Sequence, residues 1–283
     1  MEIKNLSDTS FDTIYEVFNQ SFADYEIKIN RTQFQSMLER RGFNPLLSFA
    51  AFEGDKIAAF TLNGIGCFKG IPTAYDTGTG TLPNYRGKGL ATDIFNYSIP
   101  FLKKEGIRQY LLEVLQHNTK AVSVYRKIDF KTTREFNYFN QENKNIRIEI
   151  KKPDFPYFIK QINIEEHLSV SDFWDFYPSW QNSLESIKRA TGKFVILGAV
   201  SKNSLLGYCV IEPATGDITQ IAVDKQYRRK GIASLLFSEI VKYNENDAVK
   251  VINTDISCTS INNFLEAINI KIKGKQFEML KQI

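Results

Sequence analysis

Apolar positions along the chain follow two spacings, one helical and one alternating. Phe11, Ile14, Tyr15, Phe18 and Phe22 recur every three or four residues, which predicts a helix with Asp8 or Ser10 as its N-cap. A short strand near Ile3 precedes it, and a second helix is predicted over Thr32 to Arg40, closed by Gly42. β-prone runs follow at 47–52 and 57–62, separated by the turn Glu53-Gly54-Asp55-Lys56. Thr73 to Leu82 reads as a further strand, loosened by Gly78 and Gly80. Leu90, Ile94, Phe95, Phe101 and Leu102 mark a helix with a kink expected at Pro100. A strand at 111–115, a helix at 119–127 and strands at 132–139 and 146–150 complete this half.

Lys151-Lys152-Pro153-Asp154-Phe155-Pro156 interrupts the pattern and reads as a linker, dividing the chain into domains 1–152 and 157–283. The second half then repeats the order of the first. Helical segments are predicted over 171–191, strands over 194–199, 206–211 and 218–223, and a helix over 232–243. A strand at 249–254, a helix at 261–267 and a terminal strand follow.

The repeat is also visible residue by residue. Tyr85-Arg86-Gly87-Lys88-Gly89-Leu90-Ala91 returns as Tyr227-Arg228-Arg229-Lys230-Gly231-Ile232-Ala233, 142 residues later in a chain of 283. Each copy reads as strand, glycine-containing turn, helix start. Such a turn leaves backbone N–H groups unpaired at a positive helix end, a ready site for a pyrophosphate. Gly87 and Gly89 remove Cβ atoms from the approach, while Arg86 and Lys88 add positive charge.

Composition narrows the classes. The chain is 43% hydrophobic and 24% charged with a formal charge of +4, which suits a small anionic ligand but is too weak and dispersed to argue for nucleic acid. Three widely spaced cysteines, Cys67, Cys209 and Cys258, read as free thiols, and two histidines leave no metal-type spacing. Met1-Glu2-Ile3-Lys4 has no signal-peptide pattern and no apolar run approaches the roughly 18 residues of a membrane span, so a cytoplasmic protein is expected.

Two rival phosphate motifs fail. Neither copy has the spacing of a P-loop, and Thr92 stands beyond Gly87-Lys88-Gly89-Leu90-Ala91 with no third glycine of a dinucleotide fingerprint. Both segments resemble instead the R/Q-x-x-G-x-G/A acetyl-CoA loop of the GNAT acetyltransferase superfamily, filled by Arg86, Gly89 and Ala91 and again by Arg228, Gly231 and Ala233. Leu112-Glu113-Val114, Asn118, Ala121, Tyr125 and Phe130 also resemble the following strand and helix of ribosomal-protein N-terminal acetyltransferases. The resemblance implies a glutamate at Glu113, a cofactor-touching asparagine at Asn118 and a proton-donating tyrosine at Tyr125.

The chemistry fits those roles. An amine like lysine has a pKa roughly three units above neutrality, so a base must free it for attack; Glu113 could do this, with Asp76 as a weaker rival. A CoA thiolate leaves readily, its conjugate acid lying near a cysteine's pKa of about 8.5, and Tyr125 can protonate it. The cofactor is expected on the backbone of Thr79, Gly80 and Thr81, where glycines loosen pairing, on the turn Arg86, Gly87, Lys88, Gly89, Leu90, Ala91 and Thr92, and, as the resemblance implies, on Asn118. The second copy would use Ile221, Ala222, Val223, Arg228, Arg229, Lys230, Gly231, Ile232, Ala233 and Ser234.

The second half departs from the pattern at the acid. A helix offset of 140 places Leu265 opposite Tyr125 and Cys258 opposite Asn118; an offset of 142 gives Ala267 and Ser260. Neither register supplies a phenol. His117 beside Asn118 reads as a surface or capping residue, and Trp174, Tyr177 and Trp180 as core packing or an acceptor cleft.

The expected fold is therefore two tandem α/β domains of GNAT type, each a mixed, mainly antiparallel sheet flanked by helices. The expected function is acetyl-CoA-dependent N-acetylation of a primary amine, small molecule or peptide, by direct attack in the N-terminal domain, without a metal. Catalysis in the C-terminal domain and a non-catalytic CoA-binding sensor are the alternatives; Glu113 and Tyr125 both turned away from the loop would favour the sensor. The stretches 24–41 and 173–183, candidates for shaping an acceptor pocket, carry no signature.

Overall fold

Local signals set most element boundaries. In the computed structural model of the chain, residues 1–24, 28–167, 170–202 and 204–283 are described. Strand β1 (Glu2–Asn5) leads to α1 (Phe11–Ser21), where Ser10 rather than Asp8 is the cap, its side chain accepting from the Thr13 amide. Helix α2 (Arg31–Arg41) opens on a reciprocal capping box between Asn30 and Gln33 and closes at Gly42 in the left-handed region. Within the 24–41 stretch, Tyr25, Glu26 and Ile27 lie outside the described residues.

Strands β2 (Phe49–Glu53), β3 (Lys56–Phe68) and β4 (Ile71–Thr81) form an antiparallel meander. Helix α3 (Leu90–Lys104) runs through Pro100, followed by β5 (Gln109–Leu115), α4 (Thr119–Lys127) and β6 (Lys131–Glu142). The later part contains β7 (Phe158–Gln161), α5 (Leu184–Arg189), β8 (Val195–Ser201), β9 (Ser204–Glu212) and β10 (Asp217–Val223). It ends with α6 (Ile232–Ile240), β11 (Ala248–Asp255), α7 (Thr259–Ala267) and β12 (Ile272–Gln282).

The chain packs as two units. The first comprises Met1–Arg134 with Phe277–Ile283, the second Glu135–Gln276. The sequence halves 1–152 and 157–283 and the packing units are thus cut differently: β6 gives its residues from 135 onward to the second unit, and β12 gives its residues from 277 onward to the first. In the first unit the strand order is β1-β2-β3-β4-β5-β12, with α1 and α2 over one apolar face and α3 and α4 over the other. In the second unit the order is β6-β11-β10-β9-β8-β7. Its α6 and α7 bury Leu236, Phe237 and Leu265 against one face of this sheet.

Three expectations are corrected. Residues 146–150 form no strand: Ile146 and Ile148 alternate inward with Arg147 and Glu149 outward, as a strand would, but the Arg147 amide pairs singly with the Ile268 carbonyl and no ladder forms. The helical run expected over 171–191 is broken into short 3₁₀ turns and α5, because Pro178 disfavours helix before it and Ser183 caps a fresh start. Strand β7, paired antiparallel with β8, was not anticipated by any alternation in the sequence.

One departure from regular pairing positions the site. Strands β4 and β5 are parallel and in register only from Thr73↔Gln109 to Tyr75↔Leu111, although β4 continues to Thr81 and β5 to Leu115. Strands β10 and β11 pair in parallel only at Asp217↔Lys250. Each unit therefore has a gap where its two central parallel strands part, directly before a glycine turn. Among the described residues no helix is long and apolar enough to cross a membrane.

Candidate active site

The first glycine turn is built for open access. Gly87 and Gly89 both take φ +79°, a left-handed conformation that costs other residues about 1–2 kcal/mol, and Gly89 is the N-cap of α3 with no side chain capping it. A Cβ built on either glycine would meet nothing within 4 Å. It is the backbone conformation, not neighbouring protein, that asks for glycine here, and the space over the turn is clear. The first N–H groups of α3 have no intrahelical partner and face this space with the helix dipole behind them.

Arg86 does not offer its charge to that space. Its guanidinium donates to the Thr81 and Ser21 carbonyls and pairs with Asp24 at 2.8 Å. Arg228 repeats the arrangement, donating to the Val223 and Phe173 carbonyls and pairing with Asp175 at 2.8 Å. Each of the two arginines ties the end of a strand to an upstream segment, and Arg228 also borders the cleft of the second unit. Lys88 lies over the Tyr85 ring at 5.0 Å, and Lys230 over Tyr227 at 5.2 Å.

Gly78 and Gly80 of β4 pair with Leu62 and Phe60 of β3, and the ladder shifts register between Gly78 and Asp76, where Thr77 is an extra residue on β4. A Cβ on Gly80 would fall 2.6 Å from the Phe60 ring; the glycine makes room for an aromatic core. Past Tyr75, β4 is no longer paired with β5; the Thr77 and Thr81 carbonyls accept from Arg41 and Arg86.

A cleft of about 160 Å³ opens at that gap, bordered by Thr79 and Thr81 of β4, Ala91 of the turn, and Tyr125 of α4. Tyr125 thus faces the loop. Its hydroxyl donates to Asp76 Oδ2 at 2.9 Å, and Thr79 Oγ1 donates to the same oxygen at 2.8 Å. Asp76 Oδ1 is buried with no hydrogen-bond partner among the described residues. Burial pushes the Asp76 carboxyl upward, opposed by the bonds from Thr79 and Tyr125 and by the charge of Arg41.

Glu113 stands elsewhere. Tyr110, Leu112 and Val114 of β5 pack with Phe95 of α3 and with Tyr125. Period-two alternation therefore sends Glu113 to the opposite face. There its Oε2 accepts the Tyr75 hydroxyl, and burial raises its carboxyl to about 7. The structure brings Tyr125 together with Asp76, the lesser candidate, rather than with Glu113. Asp76 borders the cleft, whereas Glu113 is not among the residues that line it. Asn118 caps α4, its Oδ1 accepting from the Ala121 amide at 3.2 Å. His117 is exposed.

The second unit has a larger cleft of about 670 Å³, bordered by Ile221, Ala222, Val223 and by Gly231 to Ser234. Its turn has the same shape, with Arg229 at φ +62° in the place of Gly87 and Gly231 at φ +85°. The surroundings differ. A Cβ on Gly231 would lie 1.9 Å from the Lys151 carbonyl oxygen, so the segment read as a linker passes directly against this turn. Phe155 packs on Tyr227 at 5.9 Å and Ser201 Oγ donates to the Pro156 carbonyl at 2.6 Å, holding the segment down.

The helix register is decided by geometry. Helices α4 and α7 both have nine residues and end on left-handed Asp129 and Asn269, whose successors Phe130 and Ile270 donate back to Tyr125 and Leu265. The offset is 140, so fully buried Leu265 takes the place of Tyr125 and Cys258 that of Asn118. Of the aromatic trio, Trp174 borders the large cleft and donates to Tyr208 at 2.6 Å, whereas Trp180 is core and Tyr177 is exposed.

A model of the acetyltransferase (GNAT) family matches residues 11–130 and again 156–262. The chain belongs to that family. Its fold is a tandem GNAT fold, similar over 99% of the chain to a GCN5-related N-acetyltransferase from Sphaerobacter thermophilus (95% of that chain, TM-score 0.72, 13% identity). A tandem GNAT protein of the clavulanic acid biosynthesis pathway is equally similar (99% of this chain, 98% of that one, TM-score 0.72, 12% identity). A putative acetyltransferase from Pyrococcus horikoshii matches with TM-score 0.66 at 13% identity, covering 100% of this chain and 89% of its own. No curated protein matches the sequence.

Proposed function

We propose that the first unit transfers an acetyl group from acetyl-CoA to a primary amine by direct attack. The observation that carries this reading is the placement of the Tyr125 hydroxyl in the cleft where β4 and β5 part, beside Ala91 of an open glycine turn. The turn fits a diphosphate: clear space, glycine conformation and a helix start coincide. Gly87 to Thr92 would hold the diphosphate, and the open edge of β4 at Thr79 to Thr81 the pantetheine arm. Acetyl-CoA would supply an acetyl group activated as a thioester.

The chain's own groups then divide the proton work across the gap. Glu113, raised to about 7 by burial, takes a proton from the acceptor ammonium on one face of the sheet. Tyr125, on the other face, gives its hydroxyl proton to the sulfur as the carbon–sulfur bond breaks, and the second proton lost by the acylated nitrogen restores the phenol. Tyr125→Phe is expected to lower kcat on the order of 10²-fold while leaving acetyl-CoA affinity unchanged. Wild-type turnover in that variant, with chemistry rate-limiting, would remove the phenol from the mechanism.

The size of the second cleft favours a second reading, in which that unit also takes an acyl-CoA. Against it stand the Lys151 backbone on the turn and a leucine in place of the phenol. Calorimetric titration with acetyl-CoA is expected to give one site per chain; two sites would restore this reading.

A further inference from the structure

Asp76 has no role in the proton transfers above, yet its carboxylate is the group the Tyr125 hydroxyl touches. Tyr125 projects from α4, a nine-residue helix with one buried side chain, Val122, and its half-buried ring packs against the core of the first unit. The ring is held on one side by Phe130, at 5.6 Å between centroids. That contact sets the plane of the ring but does not by itself say where in the cleft the hydroxyl points. The 2.9 Å bond to Asp76 Oδ2 gives the oxygen its direction. Asp76 is in turn held by Thr79 at 2.8 Å, on the strand edge that would carry the pantetheine arm. Thr79 Oγ1 also lies 3.2 Å from Thr61 Oγ1 of β3, so the chain of contacts is anchored in the sheet.

Asp76 is half-buried, and a buried Oδ1 with no hydrogen-bond partner among the described residues is a costly way to fill a strand position. A neutral apolar residue would pack there without that penalty. Keeping the carboxylate makes sense where an oriented acceptor is needed. We infer that Asp76 is a positioning residue, aiming the Tyr125 hydroxyl at the point in the gap where the leaving sulfur must be protonated. The inference rests on the acetyl-transfer reading, and two kinds of measurement separate their failures.

The first measurement needs turnover. Asp76→Ala is expected to lower kcat about tenfold with the KM for acetyl-CoA within twofold. Asp76→Asn should recover most of that loss, since its amide oxygen can accept the same bond. In a Tyr125→Phe background, Asp76→Ala should change nothing further. Losses that multiply instead would show Asp76 acting without Tyr125 and overturn the inference while leaving acetyl transfer intact. The second measurement needs no acceptor. With 3-fluorotyrosine incorporated and the signal assigned through Tyr125→Phe, the ¹⁹F resonance of Tyr125 should be a single line in wild type and in Asp76→Asn. It should shift or split in Asp76→Ala as the ring loses its fixed setting. An unchanged resonance in a folded Asp76→Ala protein overturns the inference whatever the enzyme acetylates.

Discussion

Glu113→Gln is expected to make the protein more stable at pH 8 and a poorer catalyst by 10²- to 10³-fold, roughly the range for loss of a general base. The stability gain follows from the direction in which the carboxyl is displaced. Burial is the largest cause raising the Glu113 carboxyl from 4.5 to about 7; the Tyr75 bond and the charges of Arg41 and Arg134 pull it down, and that of Glu278 pushes it up. The folded protein therefore keeps a proton that the unfolded chain releases. The stability this group contributes is full below about pH 4.5 and is lost as pH rises through 7. Above that, holding Glu113 ionised inside the fold costs on the order of 3 kcal/mol relative to the unfolded chain. Glutamine stays neutral at every pH, and its amide oxygen can still accept the Tyr75 hydroxyl. Melting curves at pH 4.5 and pH 8 check the cause: the two proteins should melt alike at the lower pH, with the variant several degrees higher at the upper. The wild-type fall in kcat/KM below about pH 7 should vanish in the variant. A gain of equal size at both pH values would mean that burial of charge is not what strains this position.

That strain explains why Glu113 could be named from sequence while its setting could not. Residue spacing along β5 and α4 placed Glu113 and Tyr125 by resemblance, and their elements fall at Gln109–Leu115 and Thr119–Lys127. Which face each side chain takes is a matter of strand phase relative to partners far away in sequence. Tyr75 and Arg41, which surround Glu113, come from β4 and α2 and leave no mark near position 113. The glycine turns were legible because Gly89 and Gly231 hold the left-handed helix start in both copies, although Arg229 takes that conformation where the first copy has Gly87. What lies over each turn is a tertiary fact. The 151–156 stretch shows its proline and charge content, which reads as linker, but nothing in it announces that the Lys151 carbonyl rests on Gly231. Likewise the buried pair of Arg134 with Glu278, at 2.5 Å, joins positions far apart in the chain within the first unit. Sequence halves are set by descent of the repeat, whereas packing units are set by where the last strand pairs.

The open and covered turns lead to opposite expectations for substitutions at equivalent glycines. Gly89→Glu puts a long side chain into space that holds no protein atom within 4 Å. The fold should bear only the left-handed penalty at φ +79°, about 1–2 kcal/mol. A carboxylate at a helix start is itself tolerated by the helix dipole. Binding is another matter, because the carboxylate would occupy and repel the place of the diphosphate. Acetyl-CoA affinity should fall at least 100-fold, about 2.7 kcal/mol, with acetyl transfer lost in a protein that still melts cooperatively. Gly231→Ala adds a single methyl, yet that methyl would lie 1.9 Å from the Lys151 carbonyl oxygen and 3.0 Å from its carbon. Backbone, not a flexible side-chain end, has to give way, and the strap carrying Phe155 onto Tyr227 must lift with it. The smaller substitution should therefore cause the larger loss of melting temperature and leave acetyl-CoA affinity and turnover near wild type. Calorimetry and melting curves on the two variants decide the matter. Affinity lost in Gly231→Ala, with its melting temperature kept, would mean that the ligand displaces the Lys151 strap and binds at the second turn.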